Sequence, residues 1–460
     1  MKSKEEIIHS SIIKVTHSLD LSSKKLTDSI FNFLPLSRVI DNSLIKNIDL
    51  SNNSIEFLCT KSFSDCNSLF TINSIDLSNN KINDEGLRNL IIRNFSTNRN
   101  YFTNLTTLNL KSNKLTHIGL KHIYDSKTLS SQISSLNLES NMLGNEGLKY
   151  LSLCSFFPLI KTLILSRNSI TSDGISYLSE SRSLGNLTEL YFYGNEIGDD
   201  GINYLTQCSF LTKLRILDLG SNNIKSAGIK SFSKCIFLDK LEILDFSYNN
   251  IESQGISYLN DCIFLINLTK LDIKSCNIKY GGMKYLINMK YFYKLNEINL
   301  YDNKLGYYGV NYLLKCNFFD RLVTLNLREN DLQSSGISPF YERNTVSQIR
   351  TLNLSSNNLL NEGVKTLFAC SCFINVSILN LSTNSIGVKG MKYLSESKIF
   401  NNLTELNLSS NNIGEEGILY IKDFNFISKL KSLNLYNNKI DKKIEKQYEE
   451  FYNFITYDYF

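Results

Sequence analysis

LTELNLSSNNIGEEGILYI, residues 403–421, holds two rhythms that belong to different backbone geometries. Leu406 and Leu408 alternate with polar residues, the period of a short strand that shows one face to a core. From Gly417 onward the apolar residues recur at helical spacing. Glu415 and Glu416 stand just before them, where a helix N-terminus favours negative charge. Asn411, between the two rhythms, is the point on which the rest of the chain aligns.

Moving outward from Asn411 finds the same pattern along most of the 460 residues. The series is Asn53, Asn80, Asn113, Asn141, Asn168, Asn195, Asn222, Asn249, Cys276, Asn303, Asn330, Asn357, Asn384, Asn411 and Asn438. From Asn141 to Asn438 every step is 27 residues, whereas the three earlier steps are 27, 33 and 28, which places one insertion near 91–102. A strand and a helix in 27 residues cannot bury their own apolar faces, but stacked copies can. Parallel strands sit about 4.8 Å apart and helices need about 8–10 Å, so the stack is expected to curve with its sheet inside. The expectation is an α/β solenoid, a curved horseshoe with a parallel β-sheet on the concave face and helices on the convex face.

Each unit reads LxxLxLxxNxIxxxGIxxL and resembles the leucine-rich repeats of the ribonuclease-inhibitor-like type. Repeats of that type also occur in NOD-like receptor repeat domains and Ran GTPase-activating proteins. In that family the repeated asparagine bonds backbone groups between neighbouring units as a ladder, and Cys276 stands in that row here. The resulting organisation is an N-terminal cap at 1–40 carrying a degenerate copy, LDLSSKKL (19–26), and about fifteen repeats over 41–445. A capping helix at 446–460 completes it, the whole forming one continuous domain.

The repeat explains most features that otherwise suggest chemistry. Thirteen of the 22 glycines lie six residues after the ladder residue, from Gly86 to Gly417, and no phosphate-binding pattern remains. Seven of the ten cysteines, Cys66, Cys154, Cys208, Cys235, Cys262, Cys316 and Cys370, lie thirteen residues after it, a small buried slot. Like positions on stacked helices are about 8–10 Å apart, too far for disulfides, so reduced packing thiols are expected. Tyr150, Tyr177, Tyr204 and their equivalents form a row nine residues after the ladder, read as helix packing. The four histidines form no cluster, so no catalytic residue, metal site or cofactor is expected. The net charge of +5 is spread out, which argues against nucleic acid, and no apolar run is long enough for a membrane span.

What remains is the strand face that points away from the core, at four, two and one residues before the ladder residue and one after. In the C-terminal units it repeats Asn353, Asn380, Asn407 and Asn434 with Ser355, Ser382 and Ser409. In the middle it carries Ile164, Arg167, Tyr191, Tyr193, Asp218, Asp245, Tyr248, Lys274, Tyr301, Asp302, Arg328 and Glu329. Tyr and Arg are the types enriched where interfaces concentrate their energy. These twelve residues are the expected partner-binding set, and two of them, Asp218 and Asp245, form an acidic row with Asp272.

The expected function is therefore a non-catalytic scaffold, monomeric and cytoplasmic, that holds a protein partner on its inner wall as adaptor, inhibitor or effector. For an effector secreted by a bacterium the cytoplasm is that of a host cell. The alternative, implied by resemblance to Ran GTPase-activating proteins, is a GTPase regulator, although the acidic tail of that family is missing. Ribonuclease inhibition would favour a strongly acidic wall, and the net charge of +5 argues against it.

Overall fold

The computed structural model describes residues 12–13, 17–28, 45–56, 71–91, 104–126, 132–154, 157–181, 183–451 and 454–456. They divide into two compact units of α/β solenoid, Met1–Ile224 with Cys235–Leu241 and Lys225–Lys234 with Glu242–Phe460.

In the first unit, strand Ser18–Asp20 begins a run of parallel three-residue strands that reaches Ile216–Asp218. The register advances by one repeat per strand: Leu136 faces Leu163, Leu163 faces Leu190, and Leu190 faces Leu217. LDLSSKKL takes part in this sheet, since Leu19 pairs with Ile48 and the Asn53 amide donates to the Leu21 carbonyl at 2.9 Å. Ile12–Ile13 adds an antiparallel strand at that end. In the second unit the parallel run goes from Ile243–Asp245 to Ser432–Asn434. Helix Lys442–Phe451 follows, and strand Ile455–Thr456 then pairs with the last repeat. Strands Ile12–Ile13 in the first unit and Ile455–Thr456 in the second pair backbone groups that an open sheet edge would leave unpaired.

Between strands, helices such as Gly198–Leu205 and Gly306–Leu313 close each repeat. Asp199 and Asp200, and likewise Glu415 and Glu416, lie in helix first turns. Two described repeats depart. One ends its helix early, at Gly414–Ile418, and continues in a 3-10 turn, Ile421–Asp423. In the other, Pro339 occupies a helical-tyrosine position, and the helix breaks into a 3-10 turn, Ser334–Ile337, and one short turn, Ser338–Tyr341. Proline lacks the N–H that a continuous helix would use there.

The core is the same slot filled once per repeat. Leu190, Phe192, Ile197, Ile202, Leu205 and Cys208 are all buried. Each large apolar side chain buried this way contributes about 1.5–3 kcal/mol relative to exposure. The helix-entry glycines are set by contact. A Cβ on Gly282 would lie 2.1 Å from Cγ2 of Ile278, the residue that leads into the same helix, so the Ile278 side chain can fold back under the helix only where there is no Cβ.

Candidate functional site

The ladder determines what the sheet face can carry. Nδ2 of Asn168 donates to the carbonyls of Leu138, Leu165 and Ser166 at 2.9–3.1 Å. Oδ1 of Asn195 accepts the amides of Asn168 and Ile170, both at 3.0 Å. Each asparagine thus stitches its own turn to the preceding one, and Asn303 and Asn330 repeat the pattern. Cys276 keeps part of the role, its thiol lying 3.2 Å from the Phe246 carbonyl and 3.4 Å from that of Lys274.

The residue just before the ladder pays a conformational cost. All fifteen have positive φ, from Asn52 at 56° to Asn437 at 57°. Asn, Asp, Ser and Gly tolerate this left-handed conformation better than long side chains, for which it costs about 1 kcal/mol. Gly194, at φ 71°, is the residue type best suited to it. Arg167, Tyr248 and Glu329 are the long side chains in this row, at 56°, 56° and 53°.

Four residues before the ladder, a second backbone demand appears. The side chains of Asp20, Asp49, Asp76, Asn109, Asn137 and Asp218 each accept the amide two residues on, at 2.8–3.1 Å. In the second unit all eight equivalents do so: Asp245, Asp272, Asn299, Asn326, Asn353, Asn380, Asn407 and Asn434, at 2.7–3.2 Å. Such a local bond holds the chain as it leaves the strand and is worth about 0.5–1.5 kcal/mol. Asp218 and Asp245 therefore have a structural assignment, and the Asn353–Asn434 row repeats because the turn requires it. Ile164 and Tyr191 hold this position in two adjacent strands of the first unit and cannot accept that bond.

Around these two residues the first unit gathers part of the expected set. Ile164 pairs in register with Tyr191, and Tyr191 with Asp218. Leu163 and Leu190 beside them face the core, so Ile164 and Tyr191 face solvent and are half-buried. The Tyr191 hydroxyl donates to Glu189 Oε2 at 3.3 Å, and burial, with Glu189 beside it, pushes its pKa up to about 12. The Arg167 guanidinium stacks 5.6 Å from the Tyr193 ring centre.

The second unit groups the others pairwise. Lys274 lies over the Tyr248 ring at 5.1 Å and Arg328 over the Tyr301 ring at 5.1 Å. Arg328 pairs with Glu329 at 2.8 Å, while the Tyr301 hydroxyl donates to Glu329 Oε2 at 3.2 Å. Asp302 accepts a bond from the Ser275 hydroxyl at 2.9 Å. Burial and the neighbouring Asp272 carboxylate raise the pKa of Asp245. Tyr248 is the most open of these aromatics, 45% exposed.

Sequence spacing missed a further row. The first residue of each strand also faces outward, which adds Glu189 and Ile216 in the first unit and Ile243, Lys270 and Glu297 in the second. Strict strand alternation was the signal for it, because these residues lie two before the ones already chosen. Lys270 and Glu297 form an ion pair at 2.5 Å across adjacent strands.

The helical tyrosines are mostly half-buried, several under a lysine of the preceding helix: Lys149 over Tyr177, Lys230 over Tyr258 and Lys365 over Tyr393. The described cysteines are buried thiols outside any disulfide, and burial pushes those of Cys154, Cys208 and Cys316 up to about 12. Several thiols point at the carbonyl four residues back, as Cys316 does to Tyr312 at 3.5 Å. Cys66 lies outside the described residues. Among the described residues, no group of three or more His, Cys, Asp or Glu could hold a metal ion. Nor is any described helix long and apolar enough to cross a membrane.

Nine segments match the family model described as Leucine Rich repeat: 68–90, 103–123, 132–152, 158–179, 210–233, 239–259, 265–286, 349–368 and 401–422. With the strand-and-helix units above, this makes the chain a leucine-rich repeat protein. No curated protein matches it. Among solved structures, one similar chain is an internalin from Listeria monocytogenes. It is 18% identical, with 94% of this chain and 88% of that one covered, at a TM-score of 0.38.

Proposed function

We propose that this chain is a protein-interaction scaffold that holds a protein partner on the solvent face of its sheet, through a patch in each unit. Leucine-rich repeat proteins generally act as such scaffolds. One observation carries the reading: Arg167 and Tyr248 occupy left-handed positions that favour small polar residues, and both take part in cation–aromatic stacks. A long side chain kept where the backbone disfavours it points to a role outside folding. Stacked Tyr and Arg offer broad, already ordered contact area at low entropic cost.

The test is affinity capture from the native cell lysate with the wild-type chain and with Tyr191, Tyr193 and Tyr301 changed together to Ser. A variant with Ser355, Ser382 and Ser409 changed to Ala serves as the control. A partner retained by wild type and control but lost from the tyrosine variant supports the reading. Undiminished binding by the tyrosine variant refutes the wall assignment.

A further inference from the structure

On the strand faces of both units, the residue four before the ladder accepts a backbone bond in every described repeat except those of Ile164 and Tyr191. These two exceptions are adjacent, paired in register and apolar or aromatic, and both face solvent. Drift would scatter losses of a useful bond among the repeats rather than place them side by side. Both replacements are also large, whereas loss of the bond alone would be met by any small residue.

The surroundings say what such a surface would take. Arg167 makes no ion pair among the described residues, so its guanidinium, stacked on Tyr193, is available to a carboxylate. Gly194 makes room for it, since a Cβ there would come within 3.0 Å of Arg167 Cγ. At the opposite end of the patch stands Glu189, which accepts bonds from Tyr191 and from Thr162. Asp218, next to Tyr191, binds the Gly220 amide at 2.9 Å. A ligand carboxylate is therefore repelled from the Glu189 and Asp218 side and drawn to Arg167.

We infer that Ile164 and Tyr191 form the floor of a peptide-binding site in the first unit, specific for an extended protein segment that places an aliphatic or aromatic side chain near a carboxylate. The apolar group rests on Ile164 and Tyr191 and the carboxylate meets Arg167. At about 3.3 Å per extended residue, the two ligand groups lie about one to three residues apart. This rests on the scaffold reading and adds the position and chemistry of the bound segment.

The experiment selects a random nine-residue peptide display library on the full chain, then measures synthetic copies of the enriched peptides by titration. Enriched peptides are expected to carry Asp or Glu within three residues of Leu, Ile or Phe. Ile164→Asn and Tyr191→Asn are expected to weaken them about tenfold or more, with a Tm equal to or above that of wild type. Arg167→Gln, an exposed change, is expected to remove the preference for the acidic peptide over its amide counterpart. Enriched peptides without this pattern, or binding within about twofold in all three variants, overturn the inference and leave the scaffold reading standing. If no peptide is enriched on the wild-type chain, the inference is overturned as well, and the scaffold reading is decided by the capture experiment.

Discussion

Residues 164–193 and residues 353–434 show two uses of one repeat. In the later region Asn353, Asn380, Asn407 and Asn434 each fasten the turn that follows their strand, so the face is uniform because the backbone makes it so. In the earlier region Ile164 and Tyr191 give up that bond, and Arg167 adopts a left-handed conformation taken by Ser356 and Ser410 in the later repeats. A uniform face thus records a local folding demand, and a departure from it costs stability. The two departures lie side by side on adjacent strands, and the inferred peptide site rests on that placement.

The largest expected effect lies beneath both regions, in the ladder they share. Asn303 donates to the carbonyls of Ile273, Leu300 and Tyr301 and accepts the amides of Cys276 and Ile278. Asn303→Ala leaves several buried groups unpaired and should cost about 3–5 kcal/mol in urea unfolding. A loss under about 1 kcal/mol would mean that the ladder does not hold the turns.

Next comes Cys276→Asn, which restores a second donor and a strong acceptor to the row. It should raise the urea midpoint by an amount corresponding to about 1–2 kcal/mol. No gain, or a loss, would show that the turn around Cys276 has adapted to sulfur.

The comparison itself is tested by opposite changes at one register position. Asn380→Ala should destabilise by about 1 kcal/mol, whereas Ile164→Asn should be neutral or stabilise by up to about 1 kcal/mol. If both variants lose stability equally, Ile164 belongs to the packing of the first unit and the contrast disappears.

The smallest effect is a pH dependence. Asp245 has its pKa raised above the ordinary 3.8 by burial and by Asp272, so the folded state holds that proton to higher pH than the unfolded chain does. This contribution makes stability fall as pH rises through the interval between 3.8 and the raised value. Asp245→Asn keeps the acceptor for the Ser247 amide and removes the charge. Denaturation midpoints measured across that interval should show a smaller decline for the variant, and equal slopes would contradict the assignment.

Much of this was legible in the sequence. The 27-residue spacing, the alternation of Leu190 and Phe192 with Tyr191 and Tyr193, and the cysteine slot each read out a contact that recurs in every repeat. Asp218 and Asp245 were harder. An acidic residue on a strand face looks the same in sequence whether it awaits a basic partner or binds an amide two residues away. The outward first residue of each strand was implied by alternation but was hidden among irregular polar residues.

By itself the sequence determined the repeat, the register and which strand residues face the core, because a fixed period leaves stacked strands one consistent way to bury their leucines. The tertiary structure alone decided which polar residues on the open face serve the backbone, and so which departures from them mean something. That distinction depends on hydrogen bonds between a side chain and a turn whose left-handed geometry appears only once neighbouring repeats are stacked. It is why Tyr191 and Ile164, rather than the more conspicuous acidic row, stand out on the first unit's sheet.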